Sequence, residues 1–213
     1  QRRRLAGPYR DAPLADLLDL RLPSMHCRGI ECAQHPDPQA AGCLLRLVDM
    51  APLRGIERAS SLHFMWGEEV DARHVAALAC WLGDALPLWW GTAGFFFERV
   101  DGNSYTAYRK IAALAKRYWC IRLHDEGLLH RDALAGLPDI GWITLLGDDF
   151  TAAKAFDAAA LSIAFADARH DIHVRRARHA TLIAAGAAPI KGDVHADENL
   201  LPSALLRGRL APL

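Results

Sequence analysis

The sequence lacks net charge and lacks any long apolar run. In 213 residues, 25 Lys+Arg offset 25 Asp+Glu. A neutral chain has no general attraction to nucleic acid or to anionic lipid, so we expect neither as a partner. The longest apolar run covers residues 88–97, about half of the roughly 20 residues that a membrane-spanning helix needs, so we expect no membrane partner. The 52% of apolar residues excludes an intrinsically disordered chain.

Cysteine pairs and targeting signals are also missing. The five cysteines are an odd number and include no CxxC pair, which favours a reducing compartment. The basic start at residues 1–4 is not followed by the apolar stretch of a secretory signal, so we expect a cytoplasmic protein. Because the chain begins without Met, we also expect that a further segment precedes Gln1.

Sequence motifs of common enzymes are absent as well. The chain has no GxGxxG, no GxxxxGK[ST], no GxSxG and no HExxH, so we expect a non-catalytic protein without a cofactor. One metal hypothesis stays open. Asp193, His195 and Asp197 alternate and would line one face of an extended segment, where they could hold a metal ion for a hydrolase. The alternative is a polar loop that caps the C-terminal helix, with Asp197 near the start of that helix.

Apolar periodicity predicts an α+β fold with a mainly antiparallel sheet and helices packed on one face of it, as a single domain over residues 1–213. Short β-rich runs predict strands at 43–48, 60–66, 89–97, 141–147, 172–174 and 180–185. Helical spacing, capping residues and Ala-rich composition predict helices at 13–22, 71–85, 104–119, 152–166 and 197–210. Residues 23–42 show no periodicity and are expected to form a loop.

The charges are unevenly distributed. Residues 1–10 carry four arginines and no acid, and residues 169–179 carry four arginines against one aspartate. In the second segment, Arg175, Arg176 and Arg178 have two possible roles. They either protect a solvated edge strand or attract an acidic protein partner.

The six tryptophans divide into two groups. Four fall on apolar-patterned positions and are expected in the core: Trp66, Trp81, Trp119 and Trp142. Trp89 and Trp90 would point to opposite faces of a strand, so we expect one of them to be exposed. Exposed tryptophan is enriched at the energetic centres of protein–protein interfaces.

Four sequence blocks occur in an order that resembles the type VI immunity family. They are residues 91–94 (Gly-Thr-Ala-Gly), 115–118 (Ala-Lys-Arg-Tyr), 141–148 (Gly-Trp-Ile-Thr-Leu-Leu-Gly-Asp) and 184–193 (Ala-Ala-Gly-Ala-Ala-Pro-Ile-Lys-Gly-Asp). The resemblance covers roughly residues 60–213. It departs at Gly141, where the family usually has Asn or a similar polar residue, and in the Ala-rich stretch after the Trp142 block.

The resemblance implies a protein that binds and neutralises the cognate effector toxin of a type VI secretion system, and the family supplies no catalytic residues. From the residues themselves we expect the toxin to contact three regions. These are Arg175, Arg176 and Arg178; Trp89 or Trp90; and the loop that carries Asp193, His195, Asp197 and Glu198. The metal-dependent hydrolase and an adaptor of the secretion apparatus remain as alternatives.

Overall fold

The computed structural model describes residues 2–6, 27–33, 43–50, 60–67, 69–98, 105–124, 134–137, 139–211 and 213. Backbone proximity groups the chain into two compact units. One contains residues 1–70 and 126–135, and the other contains residues 71–125 and 136–213. The single domain over residues 1–213 stays a prediction.

The first unit contains a four-stranded sheet with the strand order β1-β2-β3-β4. Its strands are β1 (Arg2–Ala6), β2 (Cys27–Ala33), β3 (Cys43–Met50) and β4 (Ser61–Trp66). β1 pairs with β2 in parallel, and the other pairs are antiparallel. The predicted strands at 43–48 and 60–66 are confirmed. The loop predicted at 23–42 is wrong where β2 forms. Pairing with β1 and β3 gives β2 backbone hydrogen bonds that no local sequence pattern reveals. The predicted helix at 13–22 lies outside the described residues.

The second unit is built on another four-stranded sheet, in which every neighbouring pair is antiparallel. Its strands, in spatial order, are β5 (Trp90–Ala93), β8 (Ile143–Gly147), β10 (Ala180–Ala185) and β9 (Ile172–Arg176). A separate parallel pair joins β6 (Phe96–Glu98) to β7 (Arg122–His124). The α+β class with a mainly antiparallel sheet is confirmed, and so are the strands predicted at 172–174 and 180–185.

Five α-helices of this unit are described. They are α1 (Ala72–Ala85), α2 (Tyr105–Arg117), α3 (Asp148–Ala153), α4 (Ala159–Ala164) and α5 (Leu201–Leu210). Asp71 caps α1 by accepting a hydrogen bond from the Arg73 amide at 2.8 Å. The continuous helix predicted at 152–166 is wrong. The chain breaks between α3 and α4, where Ala155 adopts a φ of 49° that no α-helix contains.

Helices cover both faces of the second sheet, whereas the sequence predicted one covered face. On one face α1 packs against Leu145 and Leu182. On the other face Leu146 and Ile183 pack with Phe150 of α3 and with residues of α4 and α5. The central strands can serve two cores because their apolar residues do not alternate with polar ones, and successive side chains point to opposite faces.

The single strand predicted over residues 89–97 is interrupted at Gly94. Its φ of 155° is a conformation that other residues rarely adopt. A Cβ atom there would lie 3.4 Å from the backbone nitrogen of Trp142, so glycine also permits the close approach of two backbone segments. The chain therefore leaves β5 at this point and starts β6.

The prediction of four core tryptophans is only partly right. Trp142 is 8% exposed, and its indole nitrogen donates to the Gly186 carbonyl at 3.0 Å. Trp66 is half-buried. Trp81 and Trp119 were wrongly placed in the core, since they are 54% and 57% exposed. No helix among the described residues is both long enough and apolar enough to cross a membrane.

Candidate partner-binding surface

The arginine-bearing hairpin of β9 and β10 is docked onto the C-terminal half of α1. The turn residue Ala177 is buried. The amide of Arg178 donates to Asp84 Oδ1 at 2.8 Å, and the amide of His179 donates to the Gly83 carbonyl at 2.9 Å. A Cβ atom on Gly83 would lie 3.0 Å from the Cβ of Ala177. The absence of a side chain at Gly83 therefore lets the hairpin approach the helix closely.

Trp81 lies in the same C-terminal half of α1, on the exposed side of the helix. Its helix neighbours His74, Ala77 and Asp84 are also exposed, as expected for residues three, four and seven positions away on one helix face. This spacing is the sequence signal that distinguishes Trp81 from the core positions of α1. Trp81 does not belong to the apolar stripe of α1 that faces the sheet, which contains Val75, Ala79 and Leu82.

Arg175 and Arg178 accompany Trp81 on this side of the molecule. Arg175 Nη1 donates to Cys80 Sγ at 3.2 Å, so its guanidinium lies beside the residue that precedes Trp81. Neither arginine forms an ion pair with any described residue, and both are exposed. We define Trp81, Asp84, Arg175 and Arg178 as the Trp81 surface. An exposed aromatic side chain, in the same region as two cations that form no ion pair with the described residues, has the composition of a protein-binding site.

Arg176 does not belong to this surface, although the sequence grouped it with its neighbours. Successive residues of a strand face opposite sides, and Arg176 points toward α3. Its Nη1 and Nη2 atoms donate to the two carboxylate oxygens of Asp148 at 2.5 and 2.6 Å. These two hydrogen bonds hold the pKa of the Asp148 carboxyl below its usual value. Arg176 therefore links the edge strand β9 to the first residue of α3.

Trp89 and Trp90 do not provide an exposed aromatic side chain. Both are half-buried, and both pack against the core cluster that contains Phe150. The rings of Trp89 and Phe150 meet edge to face with their centroids 5.6 Å apart. The prediction that one of them is exposed is wrong, because Trp89 precedes the first residue of β5 and does not follow the alternation of the strand.

Asp193, His195 and Asp197 do not line one face of an extended segment. Asp193 forms an isolated bridge with Tyr118, and a turn follows it through residues 194–197. Asp193 is bound by Arg117, whose Nε and Nη2 atoms donate to the carboxylate at 2.9 and 2.7 Å. These hydrogen bonds, together with one from the His195 amide, lower the pKa of Asp193 to about 2. A carboxylate held in this way is a structural link between α2 and the loop.

The other residues of this loop serve the same local structure or remain in solvent. Glu198 Oε2 accepts from the Asp193 amide at 2.8 Å, and His195 and Asp197 are exposed. Asn199, not Asp197, accepts the hydrogen bond from the Leu201 amide at the start of α5. Within the part of the chain that the structure describes, no three His, Cys, Asp or Glu residues lie close enough together to hold a metal ion.

A small cavity lies between β7, α5 and the link that joins β5 to β6, and Cys120, Arg122 and Trp142 contribute to its lining. It has room for about one water molecule. Arg122 Nη1 lies 2.5 Å from Asp139 Oδ2 in an ion pair. Burial lowers the pKa of Arg122 and raises the pKa of Asp139. This cavity is too small for an organic substrate or a cofactor.

The described residues define an α+β protein with an antiparallel sheet and an exposed tryptophan–arginine surface. No protein-family model, no curated protein and no solved structure matches the chain. The resemblance to the type VI immunity family stays a prediction.

Proposed function

We propose that this protein is a cytoplasmic, non-catalytic immunity protein, which binds the cognate effector toxin of a type VI secretion system and neutralises it. The observation that carries the proposal is the Trp81 surface. It presents an exposed indole and two guanidinium groups that are not ion-paired within the described part of the molecule. The order of the sequence blocks supports the choice of an immunity protein among the many kinds of binding protein.

Recognition through this surface would use two physical effects. The exposed part of Trp81 would be buried in an apolar pocket of the toxin, which supplies most of the affinity. Arg175 and Arg178 would approach carboxylates on the toxin, which raises the association rate and discriminates against other toxins.

The scaffold favours this use because the surface is already ordered. Hydrogen bonds from Arg178 and His179 to α1 hold the hairpin in place. Little conformational entropy is then lost when the toxin binds, and a preorganised surface binds more tightly than a flexible one. An obligate protector needs affinity in the nanomolar range, on the order of 12 kcal/mol of binding free energy.

Co-expression with the toxin encoded by the neighbouring gene tests the proposed function. We expect cells to survive the toxin only when this protein is present, and purified toxin to form a one-to-one complex with it. Equal killing with and without the protein would refute the proposal. Binding to several unrelated effectors would instead identify an adaptor of the secretion apparatus.

Paired variants test the surface itself. We expect Trp81→Ala to weaken toxin binding by about thirtyfold or more, as truncation of an interface tryptophan commonly does. Ile163→Ala is the control, because Ile163 is another large apolar residue that is exposed, and it lies on α4, away from Trp81. An affinity of Trp81→Ala equal to that of the wild type, measured by titration calorimetry, would exclude the Trp81 surface while leaving the immunity function possible.

A further inference from the structure

In helix α2, residues 109–117 are the ones whose burial the structure describes, and they are largely exposed in spite of the amphipathic sequence of the helix. Of residues 109–117, only Ile111 is half-buried, and the other eight side chains are exposed. A helix of this length is marginally stable by itself in water and normally buries one face. The surface formed by residues 109–117 thus buries little against the described part of the chain, which leaves it available to another molecule.

The charge of α2 is of one sign. Residues 105–117 contain Arg109, Lys110, Lys116 and Arg117 and no acidic residue. Basic residues in the last turn favour the helix dipole, which accounts for Lys116 and Arg117. Arg109 and Lys110 lie earlier in the helix, where the dipole gives them no such advantage.

Apolar side chains are exposed among these charges. Leu114 is 40% exposed and lies on the helix surface between Lys110 and Arg117, four residues before it and three after it. At the C-terminal end of α2, the Val194 amide donates to the Arg117 carbonyl and the Trp119 amide donates to the Gly192 carbonyl, both at 2.9 Å. These bonds place two further exposed side chains, Val194 and Trp119, next to the helix.

We define the α2 surface as a basic helix face with apolar side chains at its edge and at its C-terminal end. Its residues are Arg109, Lys110, Leu114, Lys116, Trp119 and Val194. The Arg117–Asp193 pair fixes the helix to the adjacent loop and is not counted, because its charges neutralise each other.

We propose that the α2 surface is a second docking site, which binds an acidic amphipathic helix of a partner protein. Charge complementarity selects an acidic partner, since the surface carries three cations and no carboxylate among its own residues. The exposed side chains of Leu114, Trp119 and Val194 favour a partner helix with apolar residues along one side, because the apolar side of that helix would pack against them.

An acidic protein fits these side chains better than a nucleic acid or an anionic lipid surface does. A single-stranded nucleic acid binds through stacked aromatic rings, and this surface offers Trp119 beside two aliphatic side chains. A lipid surface requires a broad apolar face of large side chains, whereas the exposed apolar residues on the remaining side of α2 include Ala112 and Ala115. The inference does not rest on the proposed immunity function, because it concerns different residues.

The test uses the full chain and a labelled synthetic peptide made of helical heptads of Glu and Leu. We expect fluorescence anisotropy to show binding that weakens as salt is raised. The double variant Lys110→Glu/Lys116→Glu should bind about tenfold more weakly. Leu114→Ser should weaken binding at low and at high salt alike. Arg178→Glu, a charge reversal on the Trp81 surface, is the control and should bind as the wild type does. Circular dichroism verifies that each variant is folded.

Three results would overturn the proposal. The first is the absence of peptide binding, and the second is an affinity that the Lys110 and Lys116 reversals leave unchanged. The third is tighter binding to phosphatidylglycerol vesicles or to oligothymidine through the same lysines, which would assign the α2 surface to lipid or to nucleic acid instead. Loss of toxin neutralisation in Trp81→Ala with peptide binding intact would separate the two surfaces.

Discussion

Two helical glycines allow a direct test of how closely α1 approaches the sheet. Gly83 and Gly208 each lie two residues before the last residue of their helix. A Cβ atom at Gly83 would meet the Ala177 Cβ at 3.0 Å and the Leu145 Cδ2 at 3.1 Å, whereas at Gly208 it would meet no atom within 4 Å. The same substitution by alanine should therefore have opposite effects on stability.

The expected magnitudes follow from two opposing contributions. Replacing a helical glycine by alanine stabilises a protein by about 0.5–1 kcal/mol, because the unfolded chain loses conformational freedom. Gly208→Ala should show this gain. At Gly83 the gain is opposed by overpacking, which costs about 1–3 kcal/mol. Ala177 cannot relieve the contact by rotation, since its Cβ is fixed to the backbone, and Leu145 is 4% exposed and closely packed. Gly83→Ala should be destabilised by up to about 2 kcal/mol.

Urea unfolding followed by circular dichroism measures both variants against the wild type. We expect the midpoint to rise for Gly208→Ala and to fall for Gly83→Ala with little change in slope. Equal upward shifts of the two midpoints would mean that the hairpin does not pack against Gly83, and the ordered Trp81 surface would lose its basis.

Two further predictions concern the link between α2 and the 190s loop. Hydrogen bonds from Arg117, and a further one from the His195 amide, lower the pKa of Asp193 to about 2 from the unfolded value of 3.8. The ion pair with Arg117 therefore adds stability above pH 3.8, and this stability is lost as the pH falls through 2. The variant Arg117→Met should thus be less stable than the wild type at pH 7, and the difference in urea midpoint should shrink as the pH falls and vanish below pH 2; a constant difference would contradict this. Gly192→Ala should lower the free energy of unfolding by about 2 kcal/mol or more. Gly192 has a φ of 69°, and an added Cβ would lie 2.6 Å from the Cys120 amide nitrogen. An unchanged melting temperature of this variant would show that the left-handed conformation is not required.

The candidate site was only partly predictable from the sequence. The cluster of arginines drew attention to residues 175–178, and strand alternation could have separated Arg176 from Arg175. The pairing of Arg176 with Asp148 could not be predicted, because the two residues are joined only when α3 packs against the sheet. The exposure of Trp81 was predictable, because its helical position places it with His74 and Asp84 and away from the apolar stripe of Val75, Ala79 and Leu82.

The sequence by itself determined the helices and strands that are encoded by residues a few positions apart. The spacing of Val75, Ala79 and Leu82 was sufficient to predict α1, and the apolar run at 143–147 was sufficient to predict a buried strand. Tertiary structure alone decided that helices cover both faces of the sheet and that Asp193 is bound by Arg117. Secondary structure depends on residues a few positions apart. Burial and ion pairing depend on segments that folding brings together from distant parts of the chain, and no local pattern records which segments meet.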